Sequence, residues 1–246
     1  MRIDLNADVG EGCDTDEGII EQVSSVNIAC GAHAGSAEVM QQVVRAALRR
    51  GVAIGAHPGY FDREHFGRRE LTLPLDAVRA GILYQVGALD AIVRAEGGQL
   101  AHVKAHGALY NQAARDAALA RCIAEAVRDF NPTLKVMGLA GSTMIDAIRA
   151  TGLVALEEGF ADRRYTAEGR LVARGTPGAL IEDPGPMLEQ ALSLLRSGTV
   201  IALDGGLCRV HVDTLCLHGD GPHALEFARF LKSGLQQAGI TTAACA

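Results

Sequence analysis

The feature that most constrains this chain is where polar residues fall inside otherwise apolar strand segments. In Arg2–Asp8 the two-residue period of an extended chain puts Asp4, Asn6 and Asp8 on one face and Ile3, Leu5 and Ala7 on the other. A second segment repeats the pattern, with His102, Lys104 and His106 opposite Ala101, Val103 and Ala105. An open, doubly wound sheet is covered by helices on both faces and needs apolar residues on each. A closed barrel instead sets the apolar face against its helices and turns the polar face into the lumen. Ionisable groups so enclosed are costly unless paired, hydrogen-bonded or ligating, and such groups cluster at functional sites. The competing reading is a polar network that only fixes strand register, and two strands with the same pattern weigh against it.

The remaining sequence supplies the elements such a barrel needs. Short apolar runs predict seven strands, at Arg2–Asp8, Val26–Ala29, Val52–Ala56, Leu100–Lys104, Leu134–Leu139, Leu153–Glu157 and Thr214–His218. Helical periodicity falls between them at Ala37–Arg50, Leu75–Glu96, Asp116–Asp129, Thr143–Ala150, Pro186–Ser197 and His223–Gln237. Two segments break the rhythm. Val200–Leu203 and Cys208–Val212, around Asp204-Gly205-Gly206, read as a β-hairpin added before the last strand. Glu158–Pro184 is too long for an ordinary strand-to-helix loop and reads as a functional flap. The expectation is one α/β domain over residues 1–246, a seven-stranded (β/α) barrel of TIM-like form.

Composition narrows the partners. A net charge of −6 with scattered Lys and Arg offers no basic stripe for nucleic acid. No apolar run is long enough to span a membrane and no basic, apolar leader is seen, so a cytoplasmic protein is expected. The six cysteines lack a C-x-x-C pair and read as free thiols, with Cys30 the one placed beside reactive neighbours.

Reactive residue types gather at the carboxyl ends of the predicted strands, where barrels of this kind build their sites: Asp8 and Glu11, Cys30 and His33, His57, Lys104 and His106, Glu157 and Glu158, His218 and Asp220. Two acid–base readings are open. Asp8 or Glu11 acts as general base on water while Lys104 or a histidine protonates a leaving nitrogen. Alternatively, Asp8 with His33, His57 or His106 binds a divalent metal that activates the water. Arg163, Arg164 and Arg174 in the long segment are candidate carboxylate clamps, although loop arginines are more often solvated. His65, His211 and His223 read as solvated or capping, and Ser36 as a helix N-cap. Neither a P-loop nor a G-x-G-x-x-G fingerprint is present.

The stretches Asp4-Leu5-Asn6-Ala7-Asp8-Val9-Gly10-Glu11, Ser25-Val26-Asn27-Ile28-Ala29-Cys30-Gly31-Ala32-His33, Gly55-Ala56-His57-Pro58-Gly59, Val103-Lys104-Ala105-His106-Gly107-Ala108-Leu109-Tyr110-Asn111, Glu158-Gly159-Phe160-Ala161-Asp162-Arg163 and Leu217-His218-Gly219-Asp220 resemble the LamB/YcsF family, the A subunit of bacterial 5-oxoprolinase. That resemblance implies a barrel of the glycoside hydrolase/deacetylase type. It also implies ATP-dependent opening of the lactam 5-oxoproline to glutamate, together with B and C subunits that would bind the ATP. On this reading Asp8, Glu11, Lys104 and His106 are catalytic, and Asn6, Asn27, His33, His57, Asn111, Glu158, Arg163, His218 and Asp220 surround the substrate. Where the family usually carries an aromatic residue this chain has Ala32, which is expected to enlarge the pocket; Ala105 stands where the family has proline. Two other classes stay open: a stand-alone metal-dependent deacetylase or amidohydrolase, and a non-catalytic binding subunit. A homo-oligomer is compatible with all three.

Overall fold

The computed structural model describes residues 1–173, 175–217 and 224–245, so Arg174, His218, Gly219, Asp220 and His223 lie outside the described residues. In chain order the elements are β1 (Arg2–Val9), α1 (Asp16–Ile20), β2 (Ser25–Ala29), α2 (Ala37–Arg50), β3 (Ala53–His57), α3 (Leu75–Ala95), β4 (Leu100–Lys104), α4 (Gly107–Ala113), α5 (Ala117–Phe130), β5 (Lys135–Leu139), α6 (Thr143–Ala150), β6 (Val154–Phe160), α7 (Pro184–Ser197), β7 (Thr199–Ile201), β8 (Leu207–Arg209), β9 (Thr214–Leu217), α8 (Ala224–Gln237) and β10 (Thr241–Thr242).

Seven parallel strands close into a barrel in the order β1-β2-β3-β4-β5-β6-β9, because β1 pairs with β2 on one side and β9 on the other. The short β10 adds to β1 through Arg2 and Ile3, outside the barrel proper. The predicted hairpin forms as antiparallel β7 and β8, each starting one residue earlier than expected and ending two or three residues sooner. β6 runs three residues past its predicted end, so Glu158 is a strand residue and the excursion starts after Phe160. Registration of Glu158, Gly159 and Phe160 against Thr214, Leu215 and Cys216 explains the extension.

Outward strand residues such as Leu5, Ala7, Val26, Ile28, Val103 and Val136 pack with helix residues including Val44, Val86, Leu89, Ile123 and Leu231 in one continuous apolar layer. The helices start and stop where their ends are satisfied. Ser36 caps α2 by accepting from the Val39 amide, as expected, and Gly51 closes it in the left-handed conformation. Asp116 caps α5 through the Ala118 and Leu119 amides.

Inside the barrel the polar faces interlock in layers. At the amino end, Asp4 accepts hydrogen bonds from Ser24, Ser25 and Thr214. Above it, Asn6 donates to Glu158 and Thr214, and Asn27 donates to Asn6 and Asp8. His102 meets the Asn27 side-chain oxygen at 2.8 Å. Its imidazole fills the space over Gly55, where a Cβ would lie 2.0 Å from His102 Nε2, so the inward position of β3 has to be glycine. The lumen is thus a filled polar core, with its reactive end at the carboxyl ends of the strands.

Candidate active site

Lys104 stands at the centre of this end. Its ammonium lies 3.0 Å from Asp8 Oδ1, 2.8 Å from Glu158 Oε1, 3.3 Å from Asn6 Oδ1 and 3.2 Å from Cys216 Sγ. Burial works against the charge, but Asp8, Cys216 and Glu158 outweigh it and hold the lysine well above its ordinary value. It is therefore a fixed cation. A group so firmly protonated stabilises negative charge; it does not hand over a proton at neutral pH.

Asp8 projects from β1 with Oδ1 held by Lys104 and by the Asn27 amide, while Oδ2 lies 3.3 Å from His57 Nε2. Glu11, in the turn after β1, brings one oxygen to 3.1 Å from His33 Nε2, 3.2 Å from His106 Nδ1 and 3.8 Å from His57 Nε2. Burial would raise this carboxyl, yet His106 and His33 hold it far below the usual carboxylate range. Burial pushes His33 down to about 4 and also lowers His106. For His57 burial acts the same way, but Asp8 and Glu11 overcome it and raise the imidazole. Potential ligand atoms of Glu11, His33, His57 and His106 all lie within 4.8 Å of one another, a donor set fit for a divalent cation. The metal set read from sequence differs by one residue, because Glu11 rather than Asp8 reaches all three rings.

A cavity of about 380 Å³ opens above these groups, and the residues read from sequence divide around it. Asp8, Glu11, His57, Lys104, His106, Asn111 and Arg163 line it. Asn6, Asn27 and Glu158 do not: all three are fully buried beneath it, with their polar atoms turned to Lys104, Asp8 and one another. They sit under the cavity floor and hold Lys104 and Asp8 in place, whereas the sequence reading set them around the substrate. His33 sits behind His106, their rings parallel at 3.6 Å. His218 and Asp220 lie outside the described residues.

Arg163 is buried, contrary to the solvated state usual for loop arginines, and donates to the Val172 carbonyl inside the excursion. That excursion folds back over the cavity, pairing Arg163 with Leu180 and Tyr165 with Leu171. Arg68, Arg115, Arg170, Tyr110, Phe160 and Leu171 complete the wall; strand periodicity does not point to most of them, because they come from loops and from α4. Ala32 is buried away from this cavity, so the expected enlargement does not occur there; Ala105 is the departure that lines it. Cys30 donates to the Ile28 carbonyl, and burial pushes its thiol up to about 12, which leaves it inert. All six cysteines are free.

A closed parallel barrel with a fixed ammonium, two carboxylates and three imidazoles at its carboxyl end defines the class: a TIM-like β/α barrel with a reactive mouth. Within that class the chain belongs to the LamB/YcsF family, whose model matches residues 3–246. It is similar to a lactam utilization protein from Thermus thermophilus, with 45% identity, full coverage of both chains and a TM-score of 0.95. A family 4 carbohydrate esterase from Streptomyces lividans, solved with acetate, shares the fold at 10% identity and a TM-score of 0.50, with 100% of this chain and 93% of the esterase covered. The seven-stranded TIM-like barrel is thus a fold shared with that deacetylase-type esterase.

Proposed function

We propose that this chain is the A subunit of an ATP-dependent 5-oxoprolinase, opening the lactam of 5-oxo-L-proline to L-glutamate with B and C partner subunits. The observation that carries the reading is full-length similarity to a lactam utilization protein, combined with a pocket whose floor is Asp8, Glu11 and Lys104. An unstrained lactam resists hydrolysis, which gives a role to ATP and to partners that would activate it. Nothing resembling a nucleotide loop occurs in this sequence, so activation is assigned to those partners.

In this mechanism Asp8, aligned by Lys104 and Asn27, takes a proton from water as it attacks the carbonyl carbon and returns it to the ring nitrogen as the C–N bond breaks. The Lys104 ammonium stabilises the oxyanion that develops between those steps. Arg163 and its neighbour on the wall, Arg170, supply positive charge suited to the substrate carboxylate. A divalent ion on the histidine cluster would supply Lewis-acid polarisation of the carbonyl.

The test is glutamate release from 5-oxoproline by the purified chain with ATP and candidate B and C subunits. Asp8→Asn should cut turnover by about 10²–10⁴-fold with folding unchanged. Full activity of that variant would remove Asp8 from the chemistry. Chelator-sensitive release of acetate or ammonia without ATP or partners would favour a stand-alone amidohydrolase.

A further inference from the structure

We propose that Glu11, His57 and His106, braced by His33, form a binding site for one divalent transition-metal ion beside Asp8, whose Oδ2 lies 3.3 Å from His57 Nε2. The outer ring nitrogens fix the state of the inner ones. His57 Nδ1 lies 2.8 Å from the Lys104 carbonyl oxygen, and His106 Nε2 lies 2.9 Å from the Phe66 carbonyl oxygen. A carbonyl can only accept, so each of these nitrogens carries the hydrogen and donates it. In each neutral ring the other nitrogen then presents a lone pair. When both rings are neutral, those two lone pairs, on His57 Nε2 and His106 Nδ1, face one another at 3.0 Å, with Asp8 Oδ2 3.3 Å from His57 Nε2.

Two lone pairs at that distance repel unless a cation or a proton lies between or beside them. Glu11 Oε1, another pure acceptor when ionised, is aimed at the same place, 3.2 Å from His106 Nδ1 and 3.8 Å from His57 Nε2. An outer N–H held by a backbone carbonyl is the arrangement that orients metal-ligating histidines and raises their basicity. His33 Nε2 meets Glu11 Oε1 at 3.1 Å while its ring lies parallel to that of His106 at 3.6 Å, so it braces Glu11 and His106 and is not aimed in-plane at an ion they share.

The surroundings keep these rings from swinging away. A Cβ on Gly59 would lie 2.8 Å from His33 Nδ1, and one on Gly67 2.9 Å from His33 Cβ and 3.0 Å from His106 Cδ2. Gly67 also has a φ of +62°, a conformation that side chains rarely adopt. Backbone is thus packed directly against both imidazoles. Two imidazoles and one carboxylate suit zinc, cobalt, nickel or iron over magnesium or calcium, which prefer all-oxygen shells. Glu11, His57 and His106 line the cavity, so a bound ion would be reachable by a ligand there.

The site does not depend on the identity of the substrate, and its test reads the metal directly. Full-length protein stripped with chelator is titrated with Co²⁺ while visible d–d absorption is recorded, and Zn²⁺ affinity is then measured by competition. The expected result is one equivalent of Co²⁺ with low-symmetry, intense bands, displaced by one equivalent of Zn²⁺. Glu11→Gln and His106→Ala should weaken Zn²⁺ by more than about a hundredfold, beyond what changes outside the ligand set usually cost. His211→Ala, at an exposed histidine, should bind as the parent does. Circular dichroism and melting temperature identify any variant that fails to fold, and His57→Gln gives a further, milder removal of a ligand. The folded parent retaining the spectrum of aqueous Co²⁺, or folded His106→Ala binding Zn²⁺ like the parent, would overturn the site. Nitrogen NMR of the parent showing a proton shared by His57 and His106 at saturating Zn²⁺ would overturn it as well.

Discussion

Lys104 concentrates the residue-scale physics of this protein. Its ammonium is enclosed with Asp8 and Glu158, so each charge tolerates burial only because the others are present. Lys104→Met keeps the stem volume but leaves two carboxylates without a cation. A loss of about 3–5 kcal/mol in unfolding free energy is expected for breaking a buried pair in this way. Denaturant titration would measure it. Stability within about 1 kcal/mol of the parent would mean that Asp8 and Glu158 are neutralised by something else. Lys104, Asp8 and His106 were legible as reactive because the two-residue period placed them on one face. That Glu11 rather than Asp8 gathers the histidines was not legible. The turn after β1 must first carry its carboxylate across to rings supplied by the ends of β2, β3 and β4.

At the scale of elements, the pairing of β3 with β4 makes a sharp prediction. Gly55 faces His102, which is held against Asn27, so the imidazole cannot retreat from an added methyl group. Gly55→Ala should cost about 1–3 kcal/mol through overpacking. In a chain of this size that corresponds to a melting-point fall of about 2–12 °C. An unchanged melting temperature would show that His102 has another position open to it.

The flap from 161 to 183 offers a second element-scale test. Gln190 in α7 donates to the carbonyls of Phe160 and Arg163, and the Phe160 amide donates to the buried Tyr165 hydroxyl. Gln190→Ala should leave these buried carbonyls unsatisfied, at about 1–3 kcal/mol of local stability. Limited proteolysis should then cut within the flap faster than in the parent, while the barrel fragments persist. Equal cleavage rates would show that other contacts hold the flap.

Which elements were foreseen follows from signal length. Every barrel strand and six helices announced themselves by periodicity, within a few residues at the ends. α1 has five residues, α4 seven and β10 two, too short for a period to emerge. β10 exists because Thr241 and Thr242 pair with Arg2 and Ile3, the start of β1 ahead of its pairing with β9, a partner at the far end of the chain.

For the whole molecule, the filled lumen sets the response to acid. Burial holds His102 down to about 3, against 6.5 for an exposed histidine. The unfolded chain therefore takes up its proton first as pH falls. Stability contributed by the neutral ring is complete above about pH 6.5 and is lost progressively as pH falls toward 3. Unfolding free energy measured by urea titration should decline through that window, and His102→Gln should flatten the decline. A parent curve without loss between about pH 6 and 4 would contradict a neutral, buried His102.

The sequence by itself determined the alternation of strand and helix, the polar inner face and the closed barrel that such a face requires. These follow from periods of about two and 3.6 residues and from the cost of burying charge, and both act locally. Only the tertiary structure decided which polar groups line the cavity and which lie beneath it. Asn6, Asn27 and Glu158 carry the same kinds of atoms as the cavity residues, yet closure of β1 onto β9 and the depth of each residue along its strand put them underneath. The geometry of the Glu11–histidine cluster was decided there too. It depends on the lengths of the loops that bring Glu11, His33 and His106 together and on the backbone carbonyls that aim two of the rings, neither of which local spacing encodes.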